Sequence, residues 1–235
     1  MRSILALLLC LPAFGSWSLV DHGKAYAPSP TTNYLNTIGS TLFVMIVARY
    51  GASTLDYTPT DSRSNPNWTA CGGDVVQGSM HLGVWYVKNP IVAANQTFSY
   101  TASGYSLIFV SAWSGADTVS PCDQFAGGGA ASSPVLAGMV NPSANNELVI
   151  TAVGYVQTTP SFVCDLWSNA DQLLSGASSV TGAWAYETQT TATGRDPMWT
   201  VSGGTNLPAV TVTFKSNAVA PPYRVRHGVA NSVGN

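Results

Sequence analysis

The sequence predicts an all-β protein, an antiparallel jelly-roll-like β-sandwich in a single domain. Three observations predict it. Apolar residues recur with the two-residue period of strands in about eight separate runs, rich in Val, Ile, Thr and aromatic side chains. Gly, Pro, Asn and Ser fill the gaps between those runs, where turn geometry wants them. About two hundred residues follow an apolar leader, a length at which sandwiches run as one domain.

Residues 1–18 read as a signal peptide. Arg2 supplies the positive start, Ile4 to Phe14 is an apolar run interrupted by Pro12, and Gly15, Ser16 and Ser18 allow cleavage after Gly15 or after Ser18. The run is shorter than the ~20 apolar residues of a membrane span. No later stretch has that character, so the expectation is a secreted, extracellular chain without a membrane span.

The sandwich is expected over residues 19–215. Thr41 to Tyr50 sits between Gly39 and Gly51 and is apolar on both alternating sets: Leu42, Val44 and Ile46 against Phe43, Met45 and Val47. That pattern predicts a strand buried on both faces. Met80 to Val87 and Gln96 to Ala102 follow, and Ser103-Gly104 turns the chain into Tyr105 to Trp113. Ala126 to Ser133, with three consecutive glycines, reads as a flexible loop. Glu147 to Tyr155 is a second strong strand, and Leu148 to Val153 echoes Leu42 to Val47, as central strands of facing sheets would. No repeat of solenoid length is evident. Asn169 to Leu174 is the one stretch with a helical reading. Ala183 to Thr188, Met198 to Val201 and Ala209 to Phe214 complete the strands, and residues 216–235 read as a flexible tail.

Composition narrows the classes of function. Charged residues are 9% of the chain, well under the ~25% usual for soluble domains. Disorder is excluded, because 46% of residues are hydrophobic. The formal net charge of −2 with no basic patch argues against nucleic acid. A weakly charged surface also lacks the repulsion that keeps copies apart, which favours assembly or adhesion. Beyond Cys10 in the leader, the cysteines are Cys71, Cys122 and Cys164. That odd number predicts one disulfide and one leftover thiol. All three pairings are open. Cys122 with Cys164 is favoured because both lie in Asp-containing, loop-like stretches, Pro121-Cys122-Asp123 and Val163-Cys164-Asp165. Their spacings fit no zinc site.

The order Gly39-Ser40-Thr41-Leu42-Phe43-Val44, then Thr60-Asp61-Ser62, Asn65 to Thr69 and Val84-Trp85-Tyr86, resembles a family of secreted bacterial and phage-associated β-sandwich modules. Ser111 to Ala116 stands where that family has a strand ending in Ser-Gly-Val, and Glu147 to Ile150 matches its second Leu-Val-Val strand. The resemblance spans most of residues 19–215 and rests on short hydrophobic motifs. It implies a concanavalin-like or jelly-roll sandwich of the kind placed in adhesins, tail fibres and surface proteins. The cysteines and the tail depart from the family pattern.

Candidate chemistry is sparse. Glycoside hydrolysis, the enzyme class closest to such folds, needs two carboxylates flanking the scissile bond. Beyond the leader the glutamates are Glu147 and Glu187 alone, at the ends of different strands, where acids ordinarily solubilise an edge. A serine hydrolase lacks its base: His22 lies near the start, His227 in the tail, and His81 on a strand reads as a satisfied sheet residue. The expectation is a non-catalytic protein with no cofactor. Asp61, Asn65 and Asn67 form one oxygen-rich loop, and Asp165, Asn169 and Asp171 another. Such loops can hold Ca²⁺, with turn chemistry as the default reading.

Aromatic contact with carbohydrate is the specific binding reading. Trp68 and Trp167, with Asp165 beside the latter, lie in polar, loop-like stretches, whereas Trp85, Trp113, Trp184 and Trp199 lie on strands and read as core. Asn67 and Asn95 head Asn-x-Thr sequons, candidates for N-glycosylation. Two functions compete: a module that binds glycan or a cell-surface polymer, and a subunit that assembles with copies of itself into an extracellular layer, filament or shell.

Overall fold

A computed structural model describes residues 16–51, 58–101, 104–156, 160–167, 169–173 and 180–217. The leader up to Gly15 and the tail beyond Asn217 lie outside them. Among the described residues every regular element is a strand, and every pairing between strands is antiparallel.

The chain builds its strands in two successive sets. The first set is β1 (Ser18–Ala27), β2 (Leu42–Tyr50), β3 (Thr60–Asp61), β4 (Thr69–Ala70), β5 (Val75–Gln77), β6 (Met80–Lys88), β7 (Phe98–Ser99) and β8 (Ser106–Ser114). It forms a large sheet in the order β1-β8-β2-β6-β4, with β5 also on β6, and a small sheet, β3-β7. Bridges Thr31↔Ser99 and Leu35↔Gln96 add the segment between β1 and β2 to the small sheet. The second set is β9 (Cys122–Ser132), β10 (Val135–Leu136), β11 (Leu148–Val156), β12 (Phe162–Cys164), β13 (Asn169–Leu173), β14 (Val180–Thr188), β15 (Met198–Val201) and β16 (Thr205–Phe214). Its large sheet runs β13-β14-β11-β16-β9, and its small sheet β10-β15-β12.

The two sets have the same topology. With the bridged segment between β1 and β2 counted as the second element of the first set, and β4 with β5 as its fifth, the first, eighth, third and sixth elements of each set are neighbours in the large sheet, and the second, seventh and fourth in the small one. This is the strand order of a jelly roll. The departure is the fifth element, which joins the large sheet beside the sixth. The protein is thus the all-β, antiparallel jelly-roll-like sandwich that the sequence predicts, with its strands arranged in two halves of the same topology.

Register makes the correspondence residue by residue. Leu42 of β2 pairs with Trp113 and Lys88, and Leu148 of β11 with Phe214 and Thr188. Asn89 N–H donates to the Thr41 carbonyl at 3.0 Å, and Gln189 N–H to the Glu147 carbonyl at 3.0 Å. Across the halves, Tyr86 meets Phe214 edge-on at 5.8 Å, and Tyr186 meets Trp113 edge-on at 4.8 Å. An approximate two-fold axis along the strands exchanges these pairs.

The halves pack large sheet to large sheet, giving four layers and three cores. The shared core holds Leu42, Val44 and Ile46 of β2 against Leu148, Ile150 and Ala152 of β11, with Trp184 and Phe214 among them. The opposite row of β2, Phe43, Met45 and Val47, is covered by Trp68, Phe98 and Tyr100. On the far side of β11, Val153 and Tyr155 are covered by Val135, Phe162, Trp199 and Val201. Leu42–Val47 and Leu148–Val153 are therefore central strands of facing sheets, as their echo suggested, and Trp85, Trp113, Trp184 and Trp199 are core.

Several expectations are corrected. The disulfide is Cys71–Cys122, with Cα atoms 5.9 Å apart, and Cys164 is a free, buried thiol. The reason is placement: Cys164 lies on β12 opposite Trp199 and faces the core of the second half. Cys71 hydrogen-bonds the Val84 carbonyl beside β6, at the sheet edge facing β9. Residues 126–133 are not a loop; most belong to β9, where Gly128 is required because β10 crosses it on one face, and Gly127 and Gly129 because Val75 and Gln77 of β5 lie against the other. A Cβ on Gly128 would lie 1.8 Å from the Leu136 carbonyl oxygen. Asn169–Leu173 is a strand paired with β14, not a helix, because the open edge of that sheet captures its backbone. Glu147 is fully buried rather than solubilising an edge.

The ends of the domain also move. Ser18 opens β1, and the Trp17 ring packs edge-on against Trp113 at 6.3 Å while its Nε1 donates to the Asn146 carbonyl at 2.8 Å. Ser216 bridges Ala116, and Asn217 N–H donates to the Gly115 carbonyl at 2.7 Å. The fold thus takes in residues 16–18 and 216–217, which the sequence reading gave to leader and tail.

Two stability measurements follow. The disulfide joins the two halves across 51 residues, so Cys71→Ser with Cys122→Ser should cost about 4 kcal/mol in chemical denaturation. A chain starting at Leu19 should melt several degrees below one starting at Ser16, since it loses about 1–2 kcal/mol of ring burial.

Candidate functional site

The residues singled out from sequence are not brought together. Trp68 is only 9% exposed. It packs edge-on against Phe98 at 6.3 Å, and its Nε1 donates to Asp61 Oδ2 at 3.3 Å. The other oxygen of Asp61 accepts from Arg63 N–H, Asn65 Nδ2 and Gln96 Nε2 at 2.9, 3.1 and 2.9 Å. The loop that reads as oxygen-rich is therefore a closed hydrogen-bond hub, its carboxylate satisfied by the protein itself. Among the described residues no group of three His, Cys, Asp or Glu side chains could hold a metal ion.

Trp167 packs on the outer core of the second half, separated from Trp68 by both large sheets. Its Nε1 donates to Glu187 Oε2 at 3.1 Å, and Arg195 grips the same carboxylate through Nε and Nη2 at 2.7 and 2.9 Å. The Arg195 guanidinium holds the Glu187 carboxyl below its ordinary range against the opposing effect of burial. Asp165 accepts from Met198 N–H at 2.8 Å and serves the turn after β12. Asn67 and Asn95 are exposed, both on the first half. His81 is buried, its Nδ1 2.7 Å from Asp74 Oδ2. Glu147, pushed up by burial, lies near Asp123; Ser143 Oγ donates to Asp123 Oδ1 at 2.8 Å and reaches Glu147 Oε1 at 3.4 Å. Asp123 also pairs with Lys215 at 3.0 Å.

The feature the sequence reading missed lies at the end of the sandwich opposite the Ala116–Ser216 bridge. There β1 and β2 finish and β8 begins, with Tyr26, Tyr50 and Tyr105 at or beside those ends. Tyr50 continues the inward row Leu42, Val44, Ile46, Ala48, and Tyr105 the inward row Trp113, Phe109, Leu107. Beyond the last covered layer these rows emerge from the shared core, leaving Tyr50 53% and Tyr105 52% exposed. Tyr26 lies nearly parallel under Tyr105, centroids 5.4 Å apart and planes 9° apart. Its buried hydroxyl has no hydrogen-bond partner among the described residues.

Beside the tyrosines a cleft of about 300 Å³ opens between the halves, lined by Tyr50, Gly78, Ser79 and Met80 of the first and Val156, Thr205 and Asn206 of the second. Its shape depends on the turn between β5 and β6. Gly78 takes φ +60°, and a Cβ there would lie 2.9 Å from Asn206 Cγ. Glycine lets the Asn206 amide close the floor.

The duplicated fold supplies its own control. By register, Tyr26, Tyr50 and Tyr105 correspond to Gly129, Val156 and Asn206 in the second half. None of these three equivalent positions carries an aromatic ring, so the fold does not demand tyrosine at these places. Sequence could have flagged them only as tyrosines beside turn glycines, Tyr50-Gly51 and Gly104-Tyr105, a signal shared with many ordinary strand ends. The first half thus carries an aromatic, hydroxyl-lined rim on an all-β scaffold. No protein-family model, curated protein or solved structure matches the chain.

The Glu187–Arg195 pair gives a pH prediction. A carboxyl held low in the folded state adds stability above the ordinary carboxylate range, and that stability is lost as pH falls through its lowered value. Melting curves from pH 7 to 3 should therefore decline less steeply in Glu187→Gln than in the parent. The parent's Trp167 emission should shift in the same acid range.

Proposed function

We propose that the protein is a secreted, non-catalytic module that binds a glycan or similar cell-surface polymer through the tyrosine rim and the adjoining cleft. The observation that carries this reading is the trio Tyr26, Tyr50 and Tyr105 at positions where the equivalent half has Gly129, Val156 and Asn206. Rings with an apolar face and a polar tip are suited to ligands that are apolar on one face and wet at the edge. The cleft, at about 300 Å³, is within the size range of small-ligand sites, and its hydroxyl and amide groups can fix orientation. The apolar leader and the disulfide support an oxidising, extracellular setting.

Tyr50→Ala and Tyr105→Ala should each weaken binding to an immobilised polysaccharide about 5- to 10-fold, near 1 kcal/mol per ring. Their melting temperatures should stay close to the parent's. Tyr34→Ala, at a 74% exposed tyrosine away from the rim, should leave binding unchanged. If Tyr34→Ala weakens binding as much as the rim variants, this assignment is wrong.

A second reading, self-assembly, is favoured by the outer face of the β10-β15-β12 sheet. Leu136, Met139, Val163 and Leu166 are half-exposed there. The matching face of the first half is a hydroxyl row, with Thr31 Oγ1 2.9 Å from Ser99 Oγ and Thr60 paired beside them. Light scattering on the chain from Ser16 should give a mass above one subunit under this reading, returning to monomer in Val163→Asp.

A further inference from the structure

We infer that Asp123 and Lys215 join through an intramolecular amide bond, formed by the folded protein itself with loss of one water. Three side chains at the ends of three neighbouring strands carry the inference. Asp123 stands in β9, Glu147 precedes β11 and Lys215 follows β16, and β11-β16-β9 are consecutive in the large sheet of the second half. The backbone holds them in place: Lys215 N–H donates to the Pro121 carbonyl at 2.7 Å, and Asp117 N–H to the Lys215 carbonyl at 2.8 Å. Lys215 Nζ lies 3.0 Å from Asp123 Oδ1, and the Asp123 side chain is only 5% exposed. Ser143 donates to both oxygens of that carboxylate, its N–H to Oδ2 and its Oγ to Oδ1, each at 2.8 Å. The same Oγ stands 3.4 Å from Glu147 Oε1. Glu147 is fully buried, and burial together with the Asp123 charge pushes its carboxyl up, so it keeps a proton better than an exposed glutamate.

These are the parts that amide formation requires. The ammonium passes one proton to Asp123 Oδ1 along the existing contact, leaving a neutral amine beside a neutral acid. Nζ attacks Cγ, and the charge that develops on Oδ2 meets the Ser143 N–H. Glu147 gives its proton through Ser143 Oγ to Oδ1, which leaves as water when the Cγ–Oδ1 bond breaks. The Glu147 carboxylate then recovers a proton from the nitrogen and is unchanged. Groups held in contact by a fold react as if at very high concentration.

The other half shows that the architecture does not ask for these charges. By register, with a bulge at the same place in both halves, Asp123, Glu147 and Lys215 correspond to Val20, Thr41 and Ser114. The bond also lies beside the Cys71–Cys122 disulfide. A pull applied at Asn217 would pass from Lys215 through Asp123 and Cys122 to Cys71, and residues 124–214 would carry none of it.

The test is the mass of the folded chain from Ser16, reduced and denatured only for weighing. The expected mass is one water below that of the sequence, and digestion should release a branched peptide joining Asp123 to Lys215. Lys215→Arg keeps the positive charge and removes the nucleophilic amine; it should return the full mass, as should Glu147→Gln. The full sequence mass in the parent overturns the inference and leaves an ordinary ion pair. A loss of water that survives Lys215→Arg overturns it too, since the dehydration then lies elsewhere.

Discussion

A strand that is apolar on both faces has to be covered on both, and β2 and β11 are such strands. The layered arrangement follows from that constraint. Each presents one row to the other half and the opposite row outward. Two large sheets face to face satisfy only the inner rows. The outer rows need a second cover, and the short sheets β3-β7 and β10-β15-β12 provide it, bringing Phe98 and Trp199 down onto them. The Asp61 hub belongs to this requirement. By gathering donors from Arg63, Asn65, Trp68 and Gln96, it holds an irregular stretch of chain against β2 without leaving its polar groups unpaired.

How much of this could be read from the sequence depended on length of signal. Strands of nine or ten residues, such as Leu42–Tyr50 and Leu148–Val156, declare themselves by composition, and their two-sided burial was legible. Strands of two or three residues, such as Thr60–Asp61 and Val135–Leu136, carry too few positions for a period to show. Without them the covering layers are invisible, and the chain reads as one sandwich. The same limit explains the disulfide. Cys71 and Cys122 are adjacent only once the two halves are stacked, a fact of tertiary assembly with no local trace. The glycines of Gly127–Gly129 misled in another way, since a strand thinned for the neighbours packed on it looks like a loop.

The candidate site was less legible still. Trp68 and Trp167 drew attention because large rings in polar stretches often mark binding, yet both indoles are anchored to carboxylates, Asp61 and Glu187, and fasten loops to the body. The tyrosines that do emerge lie at strand ends and differ from core aromatics by a single residue of overhang. Only the comparison of one half with the other separates what the architecture requires from what has been added. Divergence also marks the outer sheets: Thr31, Ser99 and Thr60 on one pole, Leu136, Val163 and Met198 on the other. The two halves share a skeleton and have acquired different skins.

The closed end of the molecule has a consequence for display. Ser18 pairs with Ser114 at the start of β1, and Asn217, the last described residue, is bonded to Gly115. Entry and exit are therefore neighbours, at the pole farthest from Tyr50 and Tyr105. A tether or fused protein attached at Ser16 or at Asn217 would hold the body by its base and point the tyrosine end outward, like a cup on a stem. Attachment at both residues at once would leave that orientation unchanged.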